Sequence, residues 1–286
     1  MTHASTAINP HAAQHTSLVA LAGNLWRNRH LIMQMTKREV LRLYKGSIIG
    51  FAWAFFNPVF MLAVYTVIFS VVFKARWGSD RFDGDENKLQ FAVVIFVGMI
   101  VLSLVSDALN RAPGLIRSNV NFVKKVVFPI EILPVVAMGT AFFHSLISLS
   151  VLLAALVFFN GYLNWTVVFI PLILLPLLIL STGLSWILAS LGVFLRDVGQ
   201  VTGVITRMLL FLSPVFYQVT AVPEKFRPII MANPLTFIIE QAREVLIWGH
   251  LPNWLGLGIY TLVATSVAWV GYAWFQKTRK GFADVL

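Results

Sequence analysis

The chain has 286 residues, 58% hydrophobic and 12% charged, with a mean hydropathy of +0.80. A soluble domain carries about a quarter charged residues, so this composition excludes a water-soluble globule and places the chain in a bilayer. The formal net charge is +10 and there is no cysteine, which removes disulfides, thiolate chemistry and sulfur-based metal sites. In so apolar a chain the basic balance reads as cytoplasmic loops, which collect Lys and Arg, and not as nucleic-acid binding, for which no folded basic domain exists.

Residues 1–20 read as a flexible tail. The opening MTHASTAINPHAAQHTS is polar and has no apolar run of the secretory type. Residues 21–45 predict a basic amphipathic helix in the membrane interface. Leu25, Ile32, Thr36, Val40 and Leu43 share one face, and Arg27, His30, Gln34, Lys37, Arg38 and Lys45 the other. Arg29, Glu39 and Leu41 break the pattern. From Gly46 to Phe73 no charged residue occurs, which predicts a first span with Pro58 as its bend point. As a straight helix it would reach roughly 42 Å across roughly 30 Å of hydrocarbon, so it must tilt, kink or enter the headgroups.

The mixed-charge loop 74–88 reads as a solvated outer connection, followed by a second span from Leu89 to about Leu109 with Asp107 near its end. The inner loop 110–134 contains Pro113 and Pro129, with a short helix expected over Ser118–Phe128, either docking a partner or lying in the interface. Ile132–Leu195 is free of Asp, Glu, Lys and Arg and holds two spans, broken at Asn160–Asn164 before interfacial Trp165. A fifth span is expected from Val198 to about Tyr217, containing Arg207, and the last from Leu251 to Gln276. Between them lies an outer segment, 219–250, in which Leu235–Trp248 predicts a short amphipathic helix. The expectation is therefore an all-α integral membrane protein, one transmembrane domain over 1–286. Its six-span region is 46–276, preceded by the interface helix and followed by a cytoplasmic tail, 277–286. The cations concentrate on the segments that are internal when both termini are cytoplasmic.

No energy-converting chemistry is visible. There is no G-x-x-x-x-G-K-[ST] phosphate loop and no H-E-x-x-H pair. Of the six histidines only His144 lies in a span, where a hydrogen-bonded packing role is the simpler reading. Asp107 and Arg207 are the charges placed at depth, and Arg207 can snorkel to the interface. No catalytic and no metal-binding residue is assigned. A pump built this way needs an energy-supplying partner, whereas a channel does not, and the residues alone leave both open.

A series of short stretches adds to this. Arg42-Leu43-Tyr44-Lys45-Gly46-Ser47-Ile48-Ile49-Gly50 is followed by Trp53 and Asn57-Pro58. Then come Val71-Val72-Phe73-Lys74-Ala75-Arg76-Trp77, Phe128-Pro129-Ile130-Glu131-Ile132-Leu133-Pro134, Phe194-Leu195-Arg196-Asp197-Val198, Ser213-Pro214-Val215 and Asn233-Pro234-Leu235-Thr236. In this order, over nearly the whole chain, they resemble the ABC-2 type permeases that export bacterial O-antigen, teichoic acid or capsular polysaccharide. The first block is most similar to the O-antigen and teichoic-acid branch.

The resemblance implies a homodimer in the bacterial inner membrane, joined to two separate ATP-hydrolysing subunits that would carry ATP and Mg; no cofactor is expected on this chain. The cargo implied is a lipid-linked glycan. Apolar sugar faces pack on aromatic rings, so Trp53, Phe56, Tyr65, Phe211, Phe216 and Tyr217 are candidates for lining the passage. The lipid pyrophosphate, or a headgroup, would meet Arg29, Arg38, Arg42 and Lys45. ATPase docking is expected at Asn119, Asn121, Phe122, Lys124 and Lys125, and an external gate at Pro234, Phe237, Glu240 and Arg243. The alternatives are an ABC-2 exporter of drugs or lipids, and more remotely a membrane enzyme acting on polyprenyl-linked sugars, which would need clustered acids or a metal site.

Overall fold

The computed structural model describes residues 17–68, 86–123 and 128–286, and all regular structure among them is helical. At the N-terminus two helices, α1 (Leu18–Arg27) and α2 (Arg29–Tyr44), replace the single one expected over 21–45. The break is Asn28, whose side-chain amide donates to the Asn24 backbone oxygen at 2.9 Å and to Asn24 Oδ1 at 2.7 Å. Such local bonds compete with the helical ladder. The burial of α2 also differs from the expected face. Met35 and Val40 are buried, Thr36 and Ile32 half-buried, and Leu43 is exposed.

The first membrane helix starts later than expected. Gly46 (φ 90°) and Gly50 (φ 57°) both take left-handed backbone, so the chain turns before a 3-10 turn at Gly50–Ala52 and α3 (Trp53–Tyr65). The expected end at Phe73, the Val71–Trp77 stretch and most of the loop 74–88 fall outside the described residues. α4 (Glu86–Arg111) leads through a 3-10 turn, Ala112–Gly114, into two single helical turns, α5 (Leu115–Ser118) and α6 (Val120–Val123). Of the helix expected over Ser118–Phe128, residues 124–127 lie outside the described residues; in the described part Asn119 leaves the helical region at φ −122°, ψ 32° and separates the two turns.

α7 (Leu133–Asn160) ends at Gly161, whose φ of 75° makes the turn expected at Asn160–Asn164. α8 (Ile170–Phe194) follows a 3-10 turn that starts at Trp165. α9 (Val198–Leu212) stops short of the expected Tyr217, since Ser213 is extended (φ −96°, ψ 148°) ahead of Pro214, as a residue before proline prefers. The outer segment folds as α10 (Arg227–Ala232) and α11 (Pro234–Arg243), which runs into a π turn at Glu244–Trp248. α12 (Trp254–Thr278) is the last long helix.

Among the described residues, five helical stretches are long and apolar enough to cross a membrane: Gly50–Ile68, Phe91–Ser118, Ile130–Phe159, Trp165–Phe194 and Trp254–Gly281. α9 is apolar but has 15 residues, a reach of roughly 22 Å. The second stretch is the centre of the bundle, with 78% of its apolar window buried, against 17% for the first. A core of α4, α7 and α8 side chains closes under α11, and α3 leaves most of its surface uncovered.

α8 and α12 approach until their backbones touch. A Cβ on Gly271 would lie 2.2 Å from the Gly183 carbonyl oxygen, and one on Gly183 would lie 2.6 Å from Ala268 Cα. Small residues permit this contact, and dispersion rather than water drives it in lipid. At one end of the bundle a polar clamp gathers four elements. Glu131, fully buried, accepts from Asn24 Nδ2 at 2.7 Å and from Arg279 Nη1 at 3.0 Å, while its backbone oxygen accepts from Trp186 Nε1 at 2.9 Å.

Candidate functional site: a basic groove

Beside α2 lies a groove of about 940 Å³, walled by α2, the end of α4, the α5 turn and the start of α7. The groove is basic because cations outnumber acids among the residues that the α2 side brings to it, where Gln34, Met35, Leu41 and Tyr44 are uncharged. Lys37, Arg38, Arg42 and Lys45 line one wall, and Arg111 enters from α4. One acid, Glu39, lies among them and pairs with Arg42 at 2.7 Å. Both groups of that pair reach solvent, so the pair is worth little and leaves the groove cationic. α2 is seated by close contact and by one polar tie. A Cβ on Gly139 would be 3.0 Å from Thr36 Oγ1, and the Tyr44 hydroxyl stands 3.2 Å from His144 Nε2. Burial holds the Tyr44 phenol above its ordinary range, with Arg111 opposing, so it remains protonated at neutral pH. The chemistry on offer is anion binding, with Arg forks suited to phosphate oxygens. Among the described residues no group of three or more His, Asp or Glu is arranged for a metal.

Of the expected lipid-pyrophosphate residues, Arg38, Arg42 and Lys45 line this groove, and Asn119 of the expected docking segment lines it with them. Arg29 is turned to its own helix end, stacked 4.7 Å from the Trp26 ring and donating to the Trp26 carbonyl at 2.9 Å. Asn119 donates to the Leu115 carbonyl at 2.8 Å, Phe122 stacks on Phe128 at 4.4 Å, and Asn121 is exposed. Lys124 and Lys125 lie outside the described residues.

The aromatic candidates fall into two groups. Trp53 and Phe56 are exposed on α3 with rings 6.4 Å apart, whereas Tyr65 is half-buried against the core. Phe211 is exposed at the end of α9, where its carbonyl accepts from the Tyr217 hydroxyl at 3.0 Å, and Phe216 packs against the core. In the outer segment Pro234 opens α11 under an Asn233 cap. Phe237 stacks on Tyr260 at 5.8 Å, above Gly256, where a Cβ would meet its ring at 2.6 Å. Arg243 is 1% exposed and acts as a rivet: Nε donates to the Val94 carbonyl at 3.3 Å, Nη2 to the Val215 carbonyl at 2.9 Å, and Nη1 pairs with Glu240 at 2.9 Å. Burial pushes its guanidinium down to about 10, so it stays charged at neutral pH.

The profile of the ABC-2 type transporter matches residues 30–247, from the α2 wall of the groove to the end of the outer helices. The chain belongs to the ABC-2 type transporter family. Among proteins similar to this ABC-2 chain, the O-antigen export system permease protein RfbA of Myxococcus xanthus is 25% identical over 269 residues, 93% of this chain and 99% of that protein. RfbA of Klebsiella pneumoniae is 25% identical over 90% of this chain and 95% of its own. The polysialic acid transport protein KpsM of Escherichia coli is 23% identical over 85% and 91% respectively. The residues that sequence reasoning missed in this ABC-2 chain are Arg111, which stood out only as one more loop cation, and the Glu131–Arg279 pair, whose partners are far apart in the chain. The signal for the pair was an isolated acid opening a charge-free run; nothing in the sequence pointed to its partner.

Proposed function

We propose that this chain is the transmembrane permease subunit of an ATP-driven exporter of lipid-linked polysaccharide, with an O-antigen-type glycan as first candidate and capsular polysaccharide or teichoic acid as the others. Two copies form the passage in the bacterial inner membrane, both termini in the cytoplasm. α9 with the turn after it serves as a sixth crossing of each chain. ATP and Mg are bound on two separate nucleotide-binding subunits, which meet the segment around Asn119–Lys125. The observation that carries this reading is the groove, which joins Arg38, Arg42 and Lys45 to Asn119. A pyrophosphate held there lies beside the ATPase-facing segment. Its glycan then leads along the exposed aromatic surfaces of α3 and α9, whose uncovered faces suit a second copy and a sugar chain. Phe237 and the riveted outer helices close the far mouth. The relatives of nearly equal length that export O-antigen or transport polysialic acid support this cargo class.

The test is copurification with an ATPase chain and hydrolysis stimulated by lipid-linked glycan. The double variant Arg38→Gln/Arg42→Gln is expected to weaken half-saturation by lipid-linked glycan roughly a hundredfold, from two lost charge-assisted contacts at about tenfold each. Transport of substrate by the pure chain without ATP would contradict the proposal.

A further inference from the structure

The groove has two walls, and they are unequally charged. Three of its cations ride on α2 and a fourth, Lys45, on the residue that caps it, while Arg111 is the cation that the opposite wall, α4, supplies. Its guanidinium makes no hydrogen bond and no ion pair with any described residue. Asp107, one turn earlier, His144 on α7 and Tyr44 on α2 are its electrostatic neighbours. A pyrophosphate offers oxygens on two phosphorus centres and can therefore be held from both walls at once, by an Arg fork on each.

The position of Arg111 in the chain matters as much as its charge. It is the last residue of α4, and the next residues are the turn Ala112–Gly114. That turn has no slack. Ala112 and Pro113 are buried, and Gly192 of α8 lies so close that a Cβ there would be 2.1 Å from the Pro113 carbonyl oxygen. Arg117 then pins the following turn to α8 through the Val193 carbonyl at 3.0 Å. A pull on Arg111 therefore acts on a packed unit that ends at Asn119. A pull on the α2 cations acts on a helix joined to the core chiefly through Thr36, Met35, Val40 and Tyr44.

We propose that Arg111 is the second-wall clamp for the anion in this groove, and that its contact is what reports occupancy to the 112–119 segment and the ATPase behind it. This rests on the groove reading above, and the experiment separates the two. The permease–ATPase complex is reconstituted in lipid vesicles and ATP hydrolysis is followed while polyprenyl pyrophosphate is titrated, with polyprenyl alcohol and inorganic pyrophosphate as parallel arms. The quantity read is the ratio of stimulated to unstimulated hydrolysis. Polyprenyl pyrophosphate is expected to raise it and the alcohol not, with inorganic pyrophosphate competing. R111Q is expected to bring the maximal ratio down towards one, whereas R42Q acts chiefly on the half-saturating concentration, raising it roughly tenfold. R111Q with the wild-type maximum overturns the role of Arg111 and leaves the groove reading standing. A wild-type complex stimulated equally by the alcohol, or by neither lipid, overturns the groove reading and this role with it. Should R111Q not assemble with the ATPase, R111K carries the test, because it keeps the charge and loses the fork: a reduced maximum supports the clamp and an unchanged one overturns it.

Discussion

Removing Arg279 should cost more than any other single charge deletion in the chain. Its partner Glu131 is 0% exposed and Arg279 itself 7%, with a 3.0 Å bond between Nη1 and Oε2. Arg279→Met leaves a buried carboxylate whose remaining side-chain donor is the Asn24 amide at 2.7 Å, and an uncompensated buried charge of this kind costs about 3–5 kcal/mol. Glu131→Leu strands the guanidinium instead, at about the lower end of that range because it retains slight access to water. The double variant Glu131→Leu/Arg279→Met removes both charges and takes from the Asn24 amide one of its partners, which costs at most about 1–3 kcal/mol. The double variant is therefore expected to be more stable than either single one, with a coupling energy of at least about 2 kcal/mol. The assay is reversible denaturant unfolding of the purified chain in detergent, followed by tryptophan fluorescence, to which Trp186 contributes through its bond to the Glu131 carbonyl. Additive costs, or an Arg279→Met cost below about 1 kcal/mol, would refute the argument, since burial would then not govern the pair.

Other consequences follow from the same geometry. Gly271→Leu drives a side chain into the Gly183 carbonyl, so a loss of at least about 1–3 kcal/mol is expected in the same unfolding assay, whereas Gly258→Ala, with open space around it, should change little. Arg243→Met deprives the Val215 carbonyl of its donor and releases α11 from α4; a cost of about 1.5–3 kcal/mol and faster proteolysis between residues 219 and 234 are expected. The chain lacks cysteine, so single cysteines report topology directly: Ser118→Cys and Lys280→Cys should react with an impermeant thiol reagent only from the cytoplasmic side, and Lys225→Cys only from the outer side.

Much of the helical plan was legible because lipid imposes it. The charge-free run Ile132–Leu195 could only be two spans, and Gly161 divides it where the Asn-Gly signal stands. The ends were less legible, for local reasons. Asn28 breaks the N-terminal helix through its own amide, Gly46 and Gly50 delay α3, and Pro214 stops α9. The clustering of Arg38, Arg42 and Lys45 on one helix could be read from spacing alone. Their meeting with Arg111 and Asn119 could not, because it depends on how α2 crosses α7, a packing set by Thr36 against Gly139. The contrast between Arg207 and Arg243 makes the same point. Arg207, at depth by sequence, is exposed and satisfied by the Gly203 carbonyl at 3.0 Å, while Arg243, expected on an outer amphipathic helix as a gate residue, is the buried one.

The central claim is that this chain provides the passage and another polypeptide the energy. It is tested most directly by loading a fluorescent lipid-linked glycan on the cytoplasmic side of proteoliposomes and measuring its appearance on the other side, with the permease alone and with its ATPase partner. Transfer that requires both chains and hydrolysable ATP is the result expected. Transfer by the permease alone, or transfer indifferent to ATP, would contradict the account.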